Sequence, residues 1–183
     1  KDMCITSAPA KASKTKIMSF PIGNGRFMFS YANNMRNHNQ GDLNQFNERS
    51  FKPNCMILPI PGEVKKEWFY DTTDYNNFLN DIEKFYEKKQ RMKSKGLSRS
   101  LGGIEVFKNG MYNILVSKNV QLIKDAIKTL PKEERPEISD EILSFFEEKY
   151  EGFNFVVCCF SGSEEMKSQP IMFEYDPMFI NKL

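Results

Sequence analysis

The sequence predicts an α+β fold: a single domain whose antiparallel or mixed sheet is built from hairpins, with about three helices packed on it. Two glycine-containing turns between apolar runs predict the hairpins, and three stretches with apolar residues at three- and four-residue steps predict the helices. A chain of 183 residues lies in the size range of one domain. We expect a flexible lead-in at residues 1–14, because residues 7–16 are small, polar and basic, and a single domain at residues 15–183.

The first hairpin is predicted at residues 15–32, where two apolar runs flank Gly23-Asn24-Gly25. A short Gly/Asn-rich connection between such runs is a strong hairpin signal. The following segment, residues 33–53, is rich in asparagine and has almost no apolar periodicity, so we expect a long loop there.

A proline-containing apolar run follows at residues 54–62 and predicts a buried strand that the prolines bring to an end. Pro59 and Pro61 each lack a backbone N–H, so neither suits the interior of a central ladder. Leu58, which precedes Pro59, is pushed to extended geometry.

The remaining elements follow from periodicity and caps. Residues 74–89 have an aromatic-rich face at helical spacing, residues 104–116 form a second hairpin around Asn109-Gly110, and residues 120–130 predict a short helix. Ser139 is an N-cap for a helix that ends at Gly152. Residues 153–160 and 170–175 predict the last strands.

Five motifs lie between residue 54 and residue 173. They are Asn54-x-Met56-Ile57-Leu58-Pro59-x-Pro61, Asp71-x-x-x-Tyr75-x-x-Phe78, Gly110-x-Tyr112-x-x-x-Val116, Tyr150-x-Gly152-Phe153-x-Phe155-Val156-Val157 and Gln169-Pro170-Ile171-Met172-Phe173. Together they resemble a family of conserved, mostly bacterial proteins of unknown function, which has histidine or glutamine before the proline of the last motif. The likeness covers residues 15–175. The resemblance implies one compact domain and transfers no catalytic residue.

Composition and charge exclude several classes of protein. The formal net charge is only +2, so no global charge demands nucleic acid or an anionic membrane. No apolar run approaches the ~20 residues that span a bilayer, so we expect no membrane insertion. The four cysteines have no metal-ligand spacing and indicate free thiols in a reducing compartment. We therefore expect an intracellular, cytoplasmic protein without a metal or cofactor.

We favour a non-catalytic interaction or structural domain within a larger intracellular assembly, with a protein partner or a second copy of the chain. The aromatic-rich composition and the absence of a coherent catalytic set in the sequence support this hypothesis. Its partner surface would combine the loop at residues 33–53 with a basic segment at residues 88–99, because loops on a rigid sheet often form binding sites.

Two alternatives stay open. The first is a small enzyme that uses a carboxylate such as Asp71, or Cys55, with His38 as base. The second is a weak, non-specific binder of nucleic acid or other anions through the basic segment. The cations of that segment are Lys88, Lys89, Arg91, Lys93, Lys95 and Arg99.

Overall fold

The computed structural model describes residues 5–37, 52–74, 99–101, 103–161, 165–167 and 169–178. These residues form eleven strands and two α-helices, with short 3-10 turns between them. The strands are β1 (Ile5–Thr6), β2 (Ala10–Gly23), β3 (Arg26–Asn37), β4 (Asn54–Ile60), β5 (Gly62–Glu63), β6 (Arg99–Leu101), β7 (Ile104–Asn109), β8 (Tyr112–Ser117), β9 (Asn154–Phe160), β10 (Glu165–Lys167) and β11 (Ile171–Pro177). The helices are α1 (Ile123–Ile127) and α2 (Asp140–Lys149).

The strands pair into two antiparallel sheets. A six-stranded sheet has the order β1-β4-β9-β8-β7-β6. In the second sheet, β3 pairs with β2 on one side and with β10 and β11 on the other, and β11 continues to β5. Strand β2 is therefore an edge strand of the second sheet among the described strands.

Alternation along the central strands places apolar side chains on both faces of the six-stranded sheet. Met56 and Val156 face the second sheet, where they join Phe29 and Phe173 in the main core. Ile57 and its neighbours on the opposite face pack against α1 and α2. The layers are thus helices, six-stranded sheet and five-stranded sheet, and a strand buried on both faces must be apolar throughout.

The predicted hairpins are confirmed. Strands β2 and β3 pair antiparallel around the turn at Asn24, which has a φ of 53°, and β7 pairs with β8 around Gly110. The cap of α2 is also confirmed, because Ser139 Oγ accepts a hydrogen bond from the backbone N–H of Ile142 at 3.3 Å.

The proline strand is β4, and its position in the sheet explains why Pro59 is tolerated. The backbone of Cys55 bonds toward β1, since its carbonyl accepts from the N–H of Ser7. Pro59 therefore turns its nitrogen to the same side, where the pairing of β1 with β4 covers only Met56 and Ile57. The missing N–H of Pro59 therefore interrupts no pairing between described strands.

The α+β prediction is wrong, because the described chain is mostly β. Two antiparallel sheets carry the fold, and α1 and α2 are short helices on one face of one sheet. Two segments without strand periodicity account for part of the difference: residues 10–14 belong to β2, and residues 33–37 belong to β3. The helix expected at residues 74–89 lies outside the described residues, except for residue 74.

The expected boundary near residue 15 does not coincide with an element boundary. Strand β1 pairs with β4, and β2 begins at Ala10. The division into a lead-in and one domain stays a prediction.

Candidate functional site

The structure does not bring the predicted catalytic residues together. Cys55 is fully buried in β4 opposite Cys159, within the core that faces the helices. Burial, and then a hydrogen bond with Cys55, raises the pKa of the Cys159 thiol well above its usual value. Asp71 instead accepts hydrogen bonds from the backbone N–H and the hydroxyl of Thr73, at 2.9 and 2.6 Å, which closes a local turn. His38 lies outside the described residues.

The basic segment also lies largely outside the described residues. Lys88, Lys89, Arg91, Lys93 and Lys95 belong to that part, and Arg99 is the first residue of β6, in register with Val106. Anion binding by these six residues stays a prediction, as does the loop surface at residues 38–51.

Strand β2 is the most exposed long element that the structure describes. Its 14 residues run from Ala10 to Gly23, and most of them are exposed. It contains three lysines and no acidic residue, which gives this edge a positive charge. Lys11 and Lys14 form no ion pair with any described residue.

Two observations determine which backbone groups of β2 point away from the sheet. The N–H of Tyr70 donates to the carbonyl of Met172, so Met172 points its backbone away from β3. Ser30, which is opposite Met172, therefore bonds toward β2 and pairs with Met18. Ile17 and Ser19 alternate with Met18, so their N–H and carbonyl groups point outward.

Pro21 agrees with this assignment. It lies two residues after Ser19 on the same side of the strand, and a proline belongs where its missing N–H faces solvent. At the other end, the register shifts between Ser13 and Lys16, and Lys14 has a φ of 52°. A β-bulge and a proline thus bracket a straight outward edge at residues 16–20.

The side chains of β2 divide between two faces. Met18, Phe20 and Ile22 pack partly buried against Met28 and Met172 on the outer face of the second sheet. Ile17, on the other face, has 41% of its surface exposed. A strand placed beside β2 would find apolar neighbours on both faces.

A partly buried ion pair fixes the turn end of the hairpin. Arg26 follows the turn, and its Nη1 lies 2.5 Å from Oε2 of Glu174, whose side chain is 6% exposed. The hydroxyl of Tyr70 donates to Oε1 of the same carboxylate. The guanidinium also lies over the Trp68 ring, 5.4 Å from its centroid. These contacts hold β3 against β11 and so position β2.

Gln169, the residue before the final proline in the sequence motif, has a structural role. Its Oε1 accepts from the N–H of Met111 at 3.1 Å, and its Nε2 donates to Oγ1 of Thr72 at 2.9 Å. It is buried beside Gly110, where the turn between β7 and β8 leaves no room for a Cβ. Its amide therefore ties this turn to the segment after Tyr70.

Sequence reasoning missed β2 as a site, because an exposed edge strand has little apolar alternation. Lysines along a strand, together with an internal proline, are typical of protected edges and were the available signal.

In the part of the chain that the structure describes, no helix is long and apolar enough to cross a membrane. The same part contains no group of three or more His, Cys, Asp or Glu residues that could hold a metal ion.

The fold is similar to that of a known viral protein. The crystal structure of baculovirus P35 matches with a TM-score of 0.50 and 16% identity, over 92% of this chain and 56% of that chain. A mutated baculovirus P35 after caspase cleavage, at 2.7 Å resolution, matches with a TM-score of 0.48 and 15% identity, over 91% and 56%. A second mutated P35 after caspase cleavage, at 3.1 Å resolution, matches with a TM-score of 0.47 and 17% identity, over 92% of this chain and 58% of that chain.

At these identities the likeness concerns the fold alone. The chain spans between 56% and 58% of the length of these P35 structures. No protein-family model matches the sequence. No curated protein matches it.

Proposed function

We propose that this chain is a non-catalytic protein-binding domain and that the outer edge of β2 contributes to its binding surface. The observation that carries the proposal is the exposed edge strand of 14 residues, with outward backbone groups at Ile17 and Ser19. An unpaired sheet edge is a ready template for a strand of another protein.

Neighbouring elements also hold this edge in place, which favours the binding of a partner strand. Strand β3 pairs with β2 along most of its length and is held from the other side by β11. The ion pair of Arg26 with Glu174 fixes the turn end. A preorganised edge loses less conformational entropy when a partner binds.

The proposal places the domain inside the cell, within a larger assembly. Three of its cysteines, Cys55, Cys158 and Cys159, are buried free thiols, as is typical of proteins from reducing compartments. Baculovirus P35 has a similar fold, and a mutated P35 was crystallised after cleavage by a caspase. A caspase is therefore the first partner class to test.

The test is complex formation between purified components. The full chain and an active caspase are mixed and then examined by native mass spectrometry, with denaturing mass spectrometry of the same sample to detect cleavage. We expect a complex of the two proteins, present for the wild type and for Ser19→Thr and reduced for Ser19→Pro. Ser19→Thr is the matched control because threonine keeps both the N–H and the hydroxyl that lies 3.1 Å from Tyr175 Oη.

A chain that remains uncomplexed with caspases and with all other purified candidate partners would contradict the proposal. Catalytic turnover of a substrate by the chain itself would also contradict it.

A further inference from the structure

We infer that β2 accepts an antiparallel strand from a partner whose strand continues into acidic residues at its C-terminal end. This inference rests on the proposed protein-binding function and names the chemistry of the partner. It follows from the direction of the free backbone groups, the two ends of the straight edge and the position of the lysines.

The outward backbone groups set the hydrogen bonds. Ile17 and Ser19 each offer one N–H and one carbonyl, and Pro21 offers a carbonyl alone. In an antiparallel pair, residues directly opposite these two would exchange both of their backbone hydrogen bonds with them. The partner residue opposite Met18 would point its own backbone away from β2.

The ends of the edge limit the length of the added strand. Pro21 removes the next donor, and the bulge at Lys14 turns the chain out of the straight ladder. About five residues of the partner would therefore pair with residues 16–20. Such a short window is typical of peptide addition and protects the edge against extended self-association.

The side chains favour an alternating partner. Met18 and Phe20 lie on the face where Met28 and Met172 are buried, so apolar partner residues opposite them would extend that cluster. Residues opposite Ile17 and Ser19 lie on the other face, which presents the apolar side chain of Ile17 and the hydroxyl of Ser19. An alternation of valine and threonine satisfies both faces.

Every strand pair that the structure describes is antiparallel, which favours the same direction for the added strand. The lysines then set the composition of the segment that flanks it. Lys11 and Lys14 are exposed and lie N-terminal to the pairing window. An antiparallel partner runs past them after it has paired with Ser19 and Ile17, so its acidic residues belong at its C-terminal end. At about 3.4 Å per residue, Lys14 and Lys11 lie roughly 10 and 20 Å beyond Ile17. A second copy of this chain would instead bring another lysine-rich edge into the same place.

The test uses synthetic peptides and the full chain, with binding measured by fluorescence anisotropy. The probe is a labelled peptide of alternating valine and threonine that ends in three glutamates. One control ends in three lysines. Two further controls carry N-methyl groups, either on the threonines, whose N–H groups would face β2, or on the valines, whose N–H groups would face solvent.

We expect the glutamate peptide to bind and valine methylation to change its affinity by less than about threefold. Threonine methylation should weaken binding by about tenfold or more, because it removes hydrogen bonds to β2. The double variant Lys11→Gln/Lys14→Gln should weaken binding by about three- to tenfold at low salt, and the difference should shrink as salt is raised.

Equal affinity for the glutamate and lysine peptides, or equal effects of the two methylation patterns, would overturn the inference. A dimer of the chain that is lost in Ser19→Pro would overturn it as well. If a purified protein binds the chain while no peptide does, strand addition is wrong and the protein-binding function stands. If neither binds, both fail.

Discussion

At the scale of single residues, Glu174 carries the one buried charged side chain among the residues that the structure describes. It is 5% exposed, and its oxygens are engaged by Arg26 and Tyr70. A buried charge that loses its counter-ion costs far more than an exposed one, because neither water nor another cation replaces the partner.

Replacement of Arg26 by methionine should therefore lower the free energy of unfolding by about 3 kcal/mol. Lys65→Met is the matched control, because Lys65 also lies over the Trp68 ring, 5.0 Å from its centroid, and pairs with a carboxylate, Glu63, which is far more exposed. Replacement of Lys65 should lower the free energy of unfolding by less than about 1 kcal/mol. Urea denaturation of both variants measures the difference in the free energy of unfolding. Equal losses would show that the pair of Arg26 with Glu174 contributes no more than the pair of Lys65 with Glu63.

Cys55 shows why a residue of reactive type is a poor guide to a site. The sequence allowed it as a nucleophile, but the alternation of β4 turns it into the helix-side core, opposite Cys159. Sequence spacing carries no information on which face of a strand meets another layer when both faces are apolar. The direction of the side chain required the pairing of β4 with β9.

At the scale of elements, the turn between β7 and β8 depends on Gly110. This residue has a φ of 55°, and a Cβ at its position would collide with the side-chain amide of Gln169. Gly152, after α2, has a φ of 77° with nothing within 4 Å of a Cβ. The two glycines thus share a left-handed backbone and differ in the space around them.

We expect Gly110→Ala to destabilise the protein by about 3 kcal/mol, as strain of the backbone adds to the broken hydrogen bonds of Gln169. Gly152→Ala should cost only about 1 kcal/mol, the strain alone. Thermal unfolding of both variants, with the free energies compared at one temperature, measures the difference. Similar losses in the two variants would mean that the contact with Gln169 is relieved without cost.

The hairpins were predictable because their turns carry local chemistry, with glycine and asparagine where the backbone needs a positive φ. The proportion of helix and strand was not predictable from the sequence. The apolar periodicity that locates α1 and α2 does not show how many strands join one sheet. Strand β2 was only partly predictable. Residues 18–22 alternate between partly buried and exposed side chains, whereas residues 11–14 are all exposed and show no alternation.

At the scale of the whole molecule, the two sheets share one core. Leu58 from the six-stranded sheet and Phe173 from the second sheet belong to the same buried cluster. Neither sheet can lose its structure without exposing apolar surface of the other, so the described residues should unfold together.

Urea unfolding followed by Trp68 fluorescence and by far-UV circular dichroism should therefore give coincident transitions. Trp68 reports on the junction of the turn after β5 with Arg26, whereas circular dichroism reports on all strands and helices. Coincidence would support the single domain expected at residues 15–183. Two separated midpoints would show that the sheets are independent units.

The pairing of early strands with late ones has a consequence for the order in which the chain acquires its structure. Phe27 in β3 pairs with Tyr175 in β11, and β5 also pairs with β11, at Pro177. During synthesis the first hairpin therefore leaves the ribosome long before β11 exists, and the edge of β3 that pairs with β11 stays unpaired in that interval. Contacts this distant in sequence make folding slow. The lysines of β2 lie on the exposed outer edge of this hairpin, where positive charge opposes pairing with other nascent copies.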